Sequence, residues 1–269
     1  MTSVAQQRAR SFDAWADDYD RYRPGYPAEL FGVIADRLTL PARPDVADLG
    51  AGTGRAALAM ARLGWRVTAV EPGEPMLGVL RARADEEGLA VTALTGTAEQ
   101  TGLEPGSCDL AIAAQAFHWF DKPAALAEMG RIVRPRGGLA LFWNVRDETR
   151  SPFVAAYHRL LDRYTDEAEG RYLQAGRATG RIATRNALTA SPGFHDPELL
   201  EIHHELTIRP EEFIGMAFTA SYIRALDPRR QDDLRRELRS LLDAHGIADD
   251  DPFAVPYRVD LWIARRADR

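Results

Sequence analysis

Pro44-Asp45-Val46-Ala47-Asp48-Leu49-Gly50-Ala51-Gly52-Thr53-Gly54-Arg55 fixes how the rest of the chain is read. A short apolar run, Val46 to Leu49, breaks into three alternate glycines, and Arg55 then opens a stretch of helical character to Leu63. Strand, tight turn and helix follow one another directly. Glycine permits the sharp turn and lets a ligand approach backbone N–H groups at a helix N-terminus. A loop for a dinucleotide reads G-x-G-x-x-G. Here the spacing from Gly50 is G-x-G-x-G, and Arg55 stands where the third glycine of that pattern falls. The difference argues against a pyrophosphate and for a smaller ligand. The plain alternative is a glycine-rich turn with no ligand.

Glu71 lies 21 residues beyond Gly50 and closes the apolar run Arg66 to Val70. An acid about 20 residues past the glycines, at the end of the second strand, is placed to accept hydrogen bonds from the vicinal hydroxyls of a ribose. A surface glutamate is the bland reading of the same residue. Further out, short apolar runs recur at Ala90 to Leu94, Asp109 to Ala113 and Gly138 to Trp143, with helical patterns at Glu74 to Glu87 and Pro123 to Val133 between them. That alternation predicts an α/β fold, a parallel sheet with helices on both faces. Beyond Val145 come helical segments at Pro152 to Tyr164 and Glu169 to Leu188, then a strand-like run at Leu199 to Ile208. Helical segments at Pro210 to Leu226 and Pro228 to His245 follow, and an alternating run, Tyr257 to Arg265, returns to the sheet. An excursion between late strands suits a substrate cap, because ligands bind outside the carboxyl ends of the strands.

The bulk properties fit a soluble enzyme-sized domain. The chain has 269 residues with 45% hydrophobic and 28% charged, within reach of one core. Its net charge of -6 gives no phosphate-binding surface, so no nucleic-acid partner is expected. Cys108 is the lone cysteine, which rules out an intramolecular disulfide. No apolar run approaches the ~20 residues that cross a bilayer, and residues 1–10 are polar rather than signal-like. A cytoplasmic protein with no membrane partner, a monomer or homodimer, is the expectation. His203 and His204 adjoin in a strand-like run, where neighbouring side chains point to opposite faces. No metal is expected.

The glycine loop, Glu71 at its spacing and the segment Thr97-Ala98-Glu99 resemble the class I S-adenosylmethionine-dependent methyltransferases, over most of the chain. Two stretches look like a narrower group, enzymes related to trans-aconitate methyltransferase that act on small acids or natural products. They are Phe12…Tyr19-Asp20…Arg23-Pro24-Gly25-Tyr26-Pro27 and Gln115-Ala116-Phe117-His118-Trp119-Phe120-Asp121. The resemblance implies a Rossmann-like, doubly wound, seven-stranded and mostly parallel sheet with an antiparallel C-terminal strand and a helical cap. It implies an N-terminal lid helix over residues 1–30, and a methyltransferase domain over 31–269 with a cap insertion at about 145–190. It also implies the cofactor S-adenosyl-L-methionine, the product S-adenosyl-L-homocysteine, and a small-molecule substrate.

By the same resemblance Gly50, Ala51, Gly52, Thr53 and Gly54 lie under the methionine part of the cofactor, and Asp48 sits beneath the loop. Glu71 and Pro72 serve the ribose, Met76, Ala98 and Glu99 the adenine, and Gln115, Ala116 and Trp119 wall the pocket. Tyr19 and Arg23 reach the cofactor from the lid, with Arg23 pairing its carboxylate. Tyr22, Tyr157, Arg171, Tyr172, Phe218 and Tyr222 are the acceptor-site candidates, each equally compatible with an ordinary surface or core role.

His118 is the catalytic candidate. An imidazole titrates near neutrality, and an acceptor that must lose a proton needs a base. The bland reading makes His118 and Trp119 walls of the pocket. Methyl transfer to oxygen is preferred over nitrogen or carbon. The competing readings are an NAD(P)-dependent oxidoreductase on the same strand order, and a repurposed S-adenosylmethionine-binding protein without methyl transfer.

Overall fold

The apolar run before the glycines forms β1 (Asp45–Leu49), with Val46 to Leu49 all buried. A strand covered on both faces needs a continuous apolar run rather than an alternating one. Around it lie β2 (Arg66–Glu71), β3 (Val91–Thr95), β4 (Cys108–Ala114), β5 (Val133–Arg146), β6 (Phe194–Ile208) and β7 (Phe253–Arg266). The sheet order is β3-β2-β1-β4-β5-β7-β6. β3, β2, β1, β4 and β5 pair in parallel, while β7 runs antiparallel between β5 and β6. This is the Rossmann-like, doubly wound, seven-stranded sheet. The strand order reverses between β1 and β4, and that switch point opens a crevice at the carboxyl ends of the parallel strands. The structure is a computed structural model, and it describes residues 24–164 and 180–267. Tyr19, Tyr22, Arg23, Arg171 and Tyr172 lie outside the described residues.

Helices α1 (Ala28–Leu38) and α2 (Arg55–Arg62) cover one face, where Phe31, Ile34, Met60, Phe142 and Leu261 share a core. The same core takes in Leu80 of α3 (Glu74–Glu86). The opposite face is covered by α4 (Lys122–Ile132) and α6 (Gly180–Ala190), through Leu126, Met129, Leu188 and Trp262. Burying side chains of this size contributes roughly 1.5–3 kcal/mol each.

A third core stands at the outer ends of β6 and β7. There α5 (Pro152–Asp162), α7 (Pro210–Ala217), α8 (Ser221–Arg224) and α9 (Pro228–Ala244) bring together Phe153, Tyr157, Phe213, Ile223, Leu238 and Tyr257. Local signals set the helix ends. Asp121, Ser151 and Asp227 each cap the helix they precede by accepting a backbone N–H, and each cap is followed by proline in the first turn. The stretch from Pro210 to Leu226 reads as one helix in sequence but folds as two. Thr219 donates its hydroxyl to the Met216 carbonyl at 2.7 Å and closes the first. Among the described residues no helix is long and apolar enough to cross a membrane.

Candidate active site

The three glycines of the loop are needed for different reasons. All have positive φ, at 68°, 57° and 83° for Gly50, Gly52 and Gly54, a region that costs other residues roughly 1–2 kcal/mol. A Cβ on Gly50 would stand 2.8 Å from the Ala116 Cβ, and one on Gly54 would stand 2.6 Å from Leu80 Cγ. Gly50 and Gly54 therefore close the loop against its neighbours. Around Gly52 nothing lies within 4 Å of that position, so its open side is where a ligand can come close.

The loop N–H groups are turned inward. Gly50 and Ala51 donate to the Val70 carbonyl at 2.8 and 3.2 Å, and Gly54 donates to the Ala51 carbonyl at 2.9 Å. Gly52 donates to Glu71 Oε2 at 3.0 Å. The expectation that these glycines present N–H donors to a ligand is thus corrected. What they offer is close approach. The reason is that β2, lying against β1, ends in Val70 and Glu71, whose acceptors take the hydrogens of Gly50, Ala51 and Gly52, while Gly54 is held within the loop by Ala51.

Glu71 is a hub. Oε2 accepts from Gly52 and Oε1 accepts from Gly73 at 3.0 Å, which fixes the carboxylate between the two loops. Each oxygen of an ionised carboxylate has about two acceptor sites, so this double tie leaves capacity for a diol. Asp48, at the carboxyl end of β1, is 1% exposed, and neither oxygen has a hydrogen-bond partner. Burial, and then the neighbouring charge of Glu71, pushes its carboxyl up to about 7, only partly offset by the Ala57 backbone N–H, which approaches without closing a hydrogen bond. A buried acid without a partner is costly. It suits a site that receives a cation.

Met76 is buried on α3, Thr53 and Ala98 are buried, and Pro72 is exposed at the rim. Glu99 accepts from the Asp121 backbone N–H at 2.9 Å, joining the loop after β3 to the start of α4. Past β4, Gln115 adopts φ 57° and donates its side-chain amide to the Asn144 carbonyl at 3.2 Å. Ala116 is buried against Gly50. His118 and Trp119 follow in a single 3-10 turn, Phe117–Trp119, with their rings 4.7 Å apart.

The Trp143 indole N–H faces His118 Nδ1 at 3.4 Å. An indole only donates, so Nδ1 is the accepting nitrogen in this arrangement. The contact is long for a hydrogen bond and therefore weak. Nδ1 can exchange it for a proton.

Two residues of this edge escaped the sequence reading. Asn144 donates to the Gly25 carbonyl at 2.9 Å and accepts from His204 Nε2 at 3.1 Å, tying the N-terminal approach to β5 and β6. Arg146, at the last position of β5, points its guanidinium at the ring faces of Tyr157, Phe213 and Tyr257, with centroids at 5.0, 5.6 and 5.7 Å. Tyr157 is 1% exposed and forms a wall of that cage, with Tyr222 half-buried nearby. Phe218 lies elsewhere, under the Arg235 guanidinium at 4.4 Å. An arginine just past an apolar run looks like a strand end meeting water, and only the cap shows otherwise. His203 faces Asp147 at 3.2 Å, away from His204. No cluster of three or more metal-ligating side chains occurs among the described residues.

A Rossmann-like sheet with an acid-backed glycine loop at its switch point places the candidate site at the carboxyl edge of the parallel strands. A methyltransferase-domain family profile matches residues 47–141. An uncharacterized methyltransferase of Mycobacterium tuberculosis is 31% identical over 258 residues, covering 96% of each chain. The chain belongs to the methyltransferase family. A solved putative type II methyltransferase from Anaeromyxobacter dehalogenans is also 31% identical, with a TM-score of 0.68 over 91% of this chain and 98% of that one. At 19% identity and TM-score 0.54, the fold is shared with a Haemonchus contortus phosphoethanolamine N-methyltransferase holding S-adenosylhomocysteine; the match covers 100% of this chain and 61% of that one. The profile match ends at Leu141, on β5 but short of Asn144 and Arg146.

Proposed function

We propose that this chain transfers the methyl group of S-adenosylmethionine to oxygen of a small organic acid or natural product, in the manner of the trans-aconitate methyltransferase-like enzymes, releasing S-adenosylhomocysteine. The observation that carries the reading is the pair of carboxylates at the glycine loop. Asp48 is buried and unpartnered, and Glu71 is held beside it. The same pair disfavours NAD(P), because a pyrophosphate would meet negative charge and loop N–H groups already committed.

When bound, S-adenosylmethionine supplies an electrophilic methyl on a sulfonium. Gly52 admits its amino-acid part, Asp48 balances positive charge from below, and Glu71 accepts from the ribose hydroxyls. Met76 and Ala98 flank the base. At the end of β4, His118 takes the acceptor's proton on Nδ1, exchanging the long contact from Trp143. Holding nucleophile, methyl and sulfur in line contributes up to about 7–11 kcal/mol in favourable cases, and a placed base typically 10²–10⁴-fold, an order-of-magnitude range.

Calorimetry with S-adenosylhomocysteine and NAD tests the reading. Saturable binding of the first, undisturbed by excess NAD, is expected. Preferential NAD binding would reverse the assignment. His118→Gln is then expected to lower turnover with a hydroxyl acceptor while leaving S-adenosylhomocysteine affinity unchanged.

A further inference from the structure

Three other partly buried arginines rest on carboxylates. Arg134 pairs with Asp45 and Asp109, Arg181 with Asp260 and Glu201, and Arg258 with Asp260. Arg146 does not. Among the described residues its partners are three ring faces, the Tyr257 hydroxyl and the Met216 sulfur, which accepts from Nη2 at 2.9 Å; none is a carboxylate. Its Nε is sealed from solvent without a partner.

Rings over the face of a guanidinium stabilise the cation but leave its in-plane donors unused. Those donors form the fork that matches a carboxylate. Thioether sulfur is a weak acceptor and a poor substitute. A desolvated charge held this way is expensive unless something completes it.

Arg146 is also well placed for a ligand. It lies two residues beyond Asn144 on the same face of β5, and the Asn144 carbonyl accepts from Gln115 at the end of β4. The cage thus flanks the carboxyl edge where the proposed acceptor lies, on the cap side and away from the glycine loop.

We propose that Arg146 anchors a carboxylate of the methyl acceptor, with Tyr157, Phe213 and Tyr257 fixing the guanidinium plane. This rests on the methyltransferase reading for the identity of the ligand as acceptor. A carboxylate whose lone pairs are committed to Arg146 is a handle rather than the methylated group, so the acceptor carries a second nucleophile.

Calorimetric titration with benzoate and succinate, with benzamide as neutral control, tests the proposal in the presence and absence of S-adenosylhomocysteine. Wild-type protein is expected to bind at least one of the two acids and not benzamide. Arg146→Met should weaken that binding by roughly 10- to 100-fold, with S-adenosylhomocysteine affinity unchanged. The proposal is overturned if wild type binds neither acid, if Arg146→Met binds them equally well, or if the variant loses S-adenosylhomocysteine instead. Should Arg146→Met fail to fold, the Arg146 Nε resonance of wild type decides: it shifts with the acid and not with benzamide, or the proposal fails. Absence of S-adenosylhomocysteine binding to wild type would sink the methyltransferase reading separately, because the acid titration is also run without it.

Discussion

At the β1 side of the carboxyl edge the buried charge without a counter-ion is a carboxylate, Asp48; at the β5 side it is a guanidinium, Arg146. The two are built differently. Asp48 sits at the end of a strand buried on both faces, beneath a loop whose shape three glycines dictate, and it lies within the stretch that the family profile matches. Arg146 sits just past Leu141, where the profile match ends, and points into an aromatic core built with four helices. One half is specified by local sequence. The other is assembled from residues more than a hundred positions apart, Arg146 to Tyr257.

The sharpest test of the first half is Asp48→Asn. Asp48 ionises near 3.8 in the unfolded chain and near 7 in the folded one. Between those values the folded state keeps a proton that the unfolded state has released. Stability from this group is therefore whole below pH 3.8 and is lost as pH rises, with the loss complete above about 7. At about 1.36 kcal/mol per unit the penalty reaches roughly 4 kcal/mol. Urea unfolding at pH 8 should show Asp48→Asn more stable than wild type by up to that amount, and the difference should fade toward pH 4. The same variant should bind S-adenosylhomocysteine less well. Equal stability at both pH values would mean that Asp48 is already compensated, and the contrast with Arg146 would lose one of its sides.

Legibility in the sequence follows the same division. Gly50 to Gly54, Glu71 and the apolar runs could be read because the turn, the acid and the strands are local or lie at a fixed spacing. The sheet and the place of the glycine loop at its switch point followed from them. The inward turn of the loop N–H groups could not be read, since it depends on Val70 and Glu71 lying across from β1. Helix α1 was also missed. Leu30, Phe31, Ile34 and Leu38, at steps of one, three and four, bury the face that packs on β5 and β7. Arg146 and Asn144 were illegible for a further reason. A polar residue past an apolar run is the commonest strand ending, and only long-range packing gives these two a role.

A smaller effect is expected from Glu71→Gln, which keeps the acceptor that ties one loop but removes the charge. The ribose hydroxyls lose a charged acceptor, worth about 1.5–3 kcal/mol in S-adenosylhomocysteine affinity. The variant carries a second readout inside the same half. Glu71 helps to raise the Asp48 carboxyl, so its removal should move the Asp48 titration downward. A lower affinity with no change in that titration would mean that the two carboxylates do not act as one electrostatic unit.

The smallest effect belongs to the cap, and it separates packing from recognition there. Arg235 lies 4.4 Å over the Phe218 ring with 40% of its side chain exposed, and it also faces Glu211 at 3.8 Å. Water already solvates that guanidinium, so an exposed cation–π contact contributes only about 0.5–1 kcal/mol. Arg235→Met should lower stability by no more than that and leave carboxylate binding untouched, as measured by unfolding and by the benzoate titration. Arg146 makes the same kind of ring contact away from water and without a carboxylate beside it. If Arg235→Met reduced carboxylate binding as Arg146→Met is expected to, the effect would come from a general loss of positive charge in the cap, and the Arg146 cage would hold no special place in the molecule.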